Sequence, residues 1–285
     1  MAIEQEKFSG GVAVVTGAGA GIGMGFARRL AAVGCHVVVT DVSKERAEKV
    51  AAEIQAAGGK AEAMVVDVSK PAELDRLAAA VFDKHGEVRV LINNAGIETI
   101  GYTWEVPVER WEATLNINIH GVIHGCRAFV PHMLKAGREA WIGNLGSIGS
   151  FGMMPQQTAY IVSKHAIESF SECLYLEMEL AKAPIHVSSI LPGMLKTSIF
   201  DADAGKGEPG GGASRHRTIM REMMANHGMD LDEGCAEFVR KMAEGRFWVD
   251  SQPDMTEQAV SGRIDFLRER RNPALADQAR ALLEG

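Results

Sequence analysis

Residues 12–23 read Val12-Ala-Val-Val-Thr-Gly-Ala-Gly-Ala-Gly-Ile-Gly23, a β-branched run that ends in a glycine-rich turn and leads directly into helical apolar spacing. Glycine lets the backbone approach a pyrophosphate closely, and a helix N-terminus offers unpaired N–H groups to an anion. Because Gly17, Gly19, Gly21, Gly23 and Gly25 fall at every second position, Gly-x-Gly-x-x-Gly fits in no frame. Thr-Gly-x-x-x-Gly-x-Gly fits instead, at Thr16, Gly17, Gly21 and Gly23, with Ile22 inside the turn. A purely structural strand-to-helix connection is the competing explanation of such a turn.

Outward from this turn, short β-branched runs alternate with helical spacing, the pattern of a parallel sheet covered on both faces. Strands are predicted at 12–16, 36–40, 61–66, 88–92, 141–145, 185–191 and 247–249, and helices near 22–33, 44–57, 71–85, 108–136 and 158–182. Gly34, Gly58 and Gly86 stand where helix C-terminal glycines are expected. The expected fold is α/β, a Rossmann-type doubly wound parallel sheet, formed by residues 1–285 as a single domain. After Leu191 the alternation stops, and Asp201 to Ser214 holds five glycines and a proline, a flexible stretch. Helices are predicted near 215–227, 231–244 and 255–271, with a last one from Pro273.

Lys and Arg number 30 against 37 Asp and Glu, and the net charge of −7 argues against nucleic-acid binding. No basic apolar leader and no membrane-length apolar run is seen, so a cytoplasmic protein with no membrane partner is expected. Cys35, Cys126, Cys173 and Cys235 lack a Cys-x-x-Cys pair, which disfavours a disulfide frame or a zinc knuckle. His120 and His124 are four apart on a predicted helix but have no third ligand at motif spacing, so no metal is expected.

Asp41, twenty residues after Gly21, ends the second predicted strand, where a carboxylate accepts from both ribose hydroxyls of NAD and repels a 2′-phosphate. With Ala20 and Val42 at positions where a phosphate-binding cation would stand, Asp41 favours NAD over NADP. Further along come Asp67-Val68, Asn93-Asn94-Ala95-Gly96, Asn118, Ser147, Tyr160-x-x-x-Lys164 and Pro192-Gly193. In this order the set resembles the short-chain dehydrogenase/reductase family, and the resemblance covers nearly all of residues 10–200.

Tyr160 and Lys164 share one helix face, and a cation beside a phenol favours the phenolate, making Tyr160 an acid/base near neutrality. Ser147, thirteen residues before Tyr160, is placed to hydrogen-bond the reacting oxygen. The resemblance implies that Lys164 also binds the nicotinamide ribose and that Asn118 binds a water linking Lys164 to solvent. It further implies a sheet-stabilising role for Asn93 and an adenosine-ribose position for the loop Asn94, Ala95 and Gly96. Adenine contacts are implied for Asp67 and Val68, and a nicotinamide contact for Pro192, Gly193 and Thr197.

The expected activity is NAD-dependent hydride transfer to or from a small, hydrophobic secondary alcohol or ketone, in a pocket lined by Met153, Met154, Met194 and Trp104. An NADPH-dependent carbonyl reductase and a non-catalytic NAD-sensing protein are the alternatives. The intact Asn118, Ser147, Tyr160 and Lys164 argue against the latter, since a pure binder needs no activated phenol. Residues 198–228 are expected to form a mobile substrate lid, in which Ile219, Met220, Met223 and Met224 give a helix an apolar face. Residues 251–285 depart from the commonest family ending and form a helical C-terminal extension. The helices near 108–136 and 158–182 are expected to build a homo-oligomer, a dimer or tetramer.

Overall fold

The computed structural model describes residues 2–201 and 205–275, together with Asp277, Arg280 and Leu283. Its strands are β1 (Val12–Val15), β2 (His36–Asp41), β3 (Lys60–Val65), β4 (Val90–Asn93), β5 (Ala140–Leu145), β6 (Ile185–Leu191) and β7 (Trp248–Asp250). All pair in parallel, in the order β3-β2-β1-β4-β5-β6-β7. The chain starts in the middle, works outward through β2 and β3, and crosses back to β4. The switch point therefore lies between β1 and β4, where Ala13 pairs with Val90. In such sheets ligands bind outside the strands' C-terminal ends at that point.

Alternation along each strand feeds two cores. On one face Ala13, Val15, Val37, Val39, Ile92 and Trp141 pack with Phe26, Leu30, Val50, Ile54 and Phe238. These side chains come from α2 (Gly21–Ala32), α3 (Lys44–Ala56) and α9 (Leu231–Ala243). On the other, Val12, Val14, Val38, Leu91 and Ile142 meet Leu77 of α4 (Pro71–His85), Phe129 of α6 (Gly121–Ala136) and Leu174 of α7 (Thr158–Leu180). A strand buried on both faces has no polar side to show, hence the continuous apolar runs in the sequence.

Three differences from the sequence reading have physical causes. A first helix, α1 (Ile3–Phe8), has too few residues for a periodic signal and is held by tertiary contacts. Phe8 meets Trp141 edge-on with centroids 5.0 Å apart, and buried Glu4 pairs with Arg29. The helix expected over 108–136 is α5 (Val108–Leu115) and α6 joined by a π-helical turn, Asn116–His120. The extra residue in that turn rotates Asn118 inward.

The glycine-rich run 201–214 is only partly described, since residues 202–204 lie outside the described residues; beyond it α8 runs from Gly212 to His227. Helix α10 spans Pro253–Glu269, residues 271–275 carry no regular structure, and the helix expected from Pro273 falls largely outside the described residues. No helix among the described residues is long and apolar enough to cross a membrane.

Phe238 stacks on Phe26 with centroids 5.6 Å apart and is fully buried. Phe238→Ala is expected to cost ~3–5 kcal/mol, read as a lower denaturant midpoint at unchanged slope. A midpoint within error of the parent would contradict this account of the core.

Candidate active site

The C-terminal edge of the sheet opens into a cavity of about 780 Å³. At one end stands the glycine turn. Gly17 has φ +62°, and a Cβ there would meet Ala95 Cα at 2.8 Å; a Cβ at Gly23 would collide with the Gly17 carbonyl and the Asn94 amide. Asn94 Nδ2 donates to Thr16 O at 2.7 Å and Gly17 O at 3.3 Å, while Asn94 N donates to Thr16 Oγ1 at 2.9 Å. Asn94 thus fastens the turn to the end of β4. Asn93 works across the sheet, with Nδ2 donating to Asn144 Oδ1 of β5 at 2.9 Å.

Gly17, Gly21, Ile22, Asp41, Asp67, Val68, Asn94, Ala95 and Gly96 all face this cavity, whereas Gly23 lies behind the turn as a packing position. Asp41 is buried, and its carboxylate accepts from Gly19 N at 3.1 Å, Ser43 N at 2.8 Å and Arg46 Nη2 at 2.6 Å. Arg46 is a cavity-lining cation that the sequence reading missed. It sits on the first turn of α3, beyond Ala20 and Val42. Burial raises the Asp67 carboxyl, but hydrogen bonds from Ser69 and the Lys70 ammonium outweigh it and hold the group below the usual carboxylate range.

The strand ends and α7 bring Ser147, Tyr160 and Lys164 to the cavity's middle. Ser147 Oγ accepts from Gly149 N at 3.0 Å and lies close enough to Tyr160 to favour its phenolate. Lys164, buried, donates from Nζ to Leu145 O at 2.7 Å, with Nζ 5.4 Å from the Tyr160 ring centroid. Contrary to the expected lowering, the Tyr160 phenol is pushed above its ordinary range by burial and by the Glu98 charge, against the Ser147 hydrogen bond. Lys164 is directed at a carbonyl, and burial lowers its pKa to about 8 while Glu98 opposes the shift.

Asn118 lies beside this group without touching Lys164. Its Oδ1 accepts from Ile97 N at 2.8 Å, and its Nδ2 donates to Ile97 O at 2.9 Å and Ser163 Oγ at 3.1 Å. The amide therefore pins the irregular segment that follows β4, and the π-helical turn is what aims it there.

Met153, Met154 and Met194 line the far end of the cavity, as do Pro192, Gly193 and Thr197. Trp104 does not: it is 80% exposed and stacks on Tyr102 outside, so its assignment to the pocket is corrected. Helix α8 lays Met220 and Met224 on the cavity, while Ile219 and Met223 are not among its lining residues. Beneath α8, buried Arg217 donates from Nε and Nη2 to Glu208 at 2.9 and 2.5 Å, and from Nη1 to Ile199 O at 3.2 Å. Met255 and Ala259 of α10 complete the wall, a contribution with no local signal in the sequence. Away from the cavity, His36, Glu62 and His85 gather at the opposite edge of the sheet, where Glu62 is already engaged by Lys84 and His85.

Residues 11–206 match the sequence profile of the short chain dehydrogenase family. The 1-deoxy-11-beta-hydroxypentalenate dehydrogenase of Streptomyces avermitilis is 30% identical over 244 residues, covering 85% of this chain and 84% of that protein. A protein of Mycobacterium tuberculosis named "Probable oxidoreductase EphD" is 36% identical over 196 residues, 69% of this chain; the matched part is 33% of its length. The crystal structure of a short chain dehydrogenase/reductase from Burkholderia phymatum in complex with NAD superposes with a TM-score of 0.89. It shares 29% identity over 94% of this chain and 98% of that one. With this fold, this ordered set of candidate residues and these relatives, the chain belongs to the short-chain dehydrogenase/reductase family.

Proposed function

We propose that the protein interconverts a small, largely apolar secondary alcohol and its ketone with NAD as cofactor. The observation that carries this reading is the convergence of Ser147, Tyr160 and Lys164 on one cavity that runs from Asp41 to a methionine-lined end. The bound nicotinamide supplies the hydride acceptor or donor. Ser147 orients the reacting oxygen by a hydrogen bond, and Tyr160 exchanges a proton with it. The Lys164 ammonium binds the ribose and, with the positive charge of the oxidised cofactor, opposes the burial that keeps the phenol protonated. Asn118 holds Ile97 and serves the relay from Lys164 to solvent through its main chain, since its amide is occupied. Cytoplasmic location accords with this chemistry.

Asp41 supports NAD, because two ribose hydroxyls find acceptors there and a 2′-phosphate meets a carboxylate. Arg46 supports a second reading, since a guanidinium released from Asp41 and turned into the cavity would hold that phosphate in the NADP form. A non-catalytic NAD-binding role is disfavoured by the gathered phenol, hydroxyl and ammonium.

We assign residues 198–201 and 205–228 as a substrate lid, with α8 as its moving part; Glu208, braced by Arg217, latches it by accepting from Ile100 N outside the segment. Exposed Leu134 of α6 and Val162, Leu176 and Leu180 of α7 give a second copy an apolar face. A dimer or tetramer follows, to be read by light scattering on a sizing column.

Tyr160→Phe is expected to lower kcat ~10²–10⁴-fold while leaving the NADH dissociation constant near the parent value; near-normal turnover would remove the role given to Tyr160. Parent kcat/KM should be higher with NAD than with NADP, and Asp41→Ala should narrow the gap. If the parent instead prefers NADP and Arg46→Ala abolishes that preference, the second reading stands. Arg217→Met leaves Glu208 buried without its main partner, so KM should rise and limited proteolysis at 205–212 should accelerate roughly tenfold. Unchanged KM and cleavage would leave the segment a passive loop.

A further inference from the structure

Glu98 lies five residues beyond the end of β4 and is 2% exposed, yet it borders the active-site cavity. Its main chain is fixed from both sides. Asn118 clamps Ile97, Arg110 Nη2 donates to Glu98 O at 2.5 Å, and Arg110 Nε donates to Thr99 Oγ1 at 3.0 Å. The side chain is half used: Oε1 accepts from Thr99 N at 3.0 Å, and Oε2 has no partner among the described residues. Oε2 is not fully enclosed by the protein and is reached from the cavity that Glu98 borders, so a water or a ligand can meet it there. The same cavity is lined by Met153, Met154, Met194, Met220 and Met224, which offer no hydrogen bond of comparable strength, and by the neutral polar Gln157 and Ser198, so Glu98 is its acidic group beyond the Asp41–Asp67 end.

We propose that Glu98 is the polar anchor of the substrate pocket, binding a second hydroxyl of the substrate set apart from the reacting carbon, so that the preferred substrates are diols or hydroxyketones rather than simple alcohols. This rests on the alcohol–ketone reading above. A hydroxyl is selected over other groups by the chemistry of its surroundings. Burial raises the Glu98 carboxyl to about 8, against the Thr99 N–H and the Arg217 and Lys164 charges, so both protonation states are accessible near neutrality. A hydroxyl donates to the carboxylate and accepts from the acid, satisfying either. A carbonyl fits the acid alone, a substrate carboxylate is repelled by the ionised form, and an ammonium would share the pocket with Lys164.

The test compares kcat/KM for cyclohexanol with those for 1,2-, 1,3- and 1,4-cyclohexanediol in the parent, Glu98→Leu and Glu98→Gln. Loss of one such hydrogen bond typically changes specificity by about tenfold or more. The parent should favour at least one diol over cyclohexanol by about that factor, Glu98→Leu should bring the ratio near one, and Glu98→Gln, which keeps a donor and an acceptor, should retain part of it. A parent that prefers cyclohexanol overturns the inference. So does a diol ratio that survives in Glu98→Leu, or activity on all four alcohols falling in parallel, since that marks an effect on Tyr160 alone. If none of the four alcohols is turned over with NAD or NADP, the reaction reading fails by itself. Calorimetry of the diols on the NADH-saturated proteins then decides separately: binding at least fivefold weaker in Glu98→Leu and partly restored in Glu98→Gln supports the anchor, and equal or absent binding in all three proteins overturns it.

Discussion

The Asn94 side chain holds the two halves of the binding edge together. It reaches from the end of β4 to the carbonyls of Thr16 and Gly17 at the end of β1, across the line where the sheet reverses its winding. Strand pairing there stops at Val15 and Ile92, so beyond it the backbone has no ladder to keep the turn in place. Thr16 Oγ1 answers by accepting from the N–H groups of both Asn94 and Ala95. Two side chains at this seam, the Asn94 amide and the Thr16 hydroxyl, together with the missing side chain of Gly23, decide where the cavity floor lies. The clearance for a pyrophosphate follows from that placement.

Charge buried around the cavity is handled by a different device. Lys164, Glu98, Arg217 and Glu208 are all withdrawn from water within one region, and none is matched solely by a single opposite charge. Lys164 rests on the Leu145 carbonyl, Glu98 on the Thr99 amide, and Glu208 on both Arg217 and the Ile100 N–H. Fixed backbone dipoles cost no reorganisation, so these groups stay buried without unfolding the wall that carries them, and burial brings the pKa of both Lys164 and Glu98 to about 8. The Tyr160 phenol is raised first by its own burial and then by the Glu98 charge.

The sheet was legible from Val12 to Val249 because strands buried on both faces leave unbroken apolar runs, and helix ends because Gly34, Gly58 and Gly86 take up positive φ. Site residues were legible where chemistry needs fixed spacing, as for Tyr160 and Lys164 on one helix face. Arg46, Glu98 and Met255 were not. Each reaches the cavity from a segment whose local pattern is ordinary, a helix first turn, a loop and a late amphipathic helix, and only the tertiary fold directs it inward. The π-helical turn escaped for a related reason: one extra residue shifts the phase of a long helix without altering its composition. Trp104 shows the converse error, an aromatic that chain proximity to the site suggested and whose contacts lie with Tyr102.

Helix α10 gives the last third of the chain a place in the pocket. Gln252 and Met255 press against the backbone at Gly193, and Met255 and Ala259 form part of the cavity wall. The glycine turn, Ser147, Tyr160 and Lys164 all precede them by roughly a hundred residues or more. The two sides of the pocket therefore come from segments far apart in the chain, and only the folding of both makes the cavity whole. A chain cut short before α10 would keep the glycine turn, Ser147, Tyr160 and Lys164 but leave the cavity without its Met255 and Ala259 side.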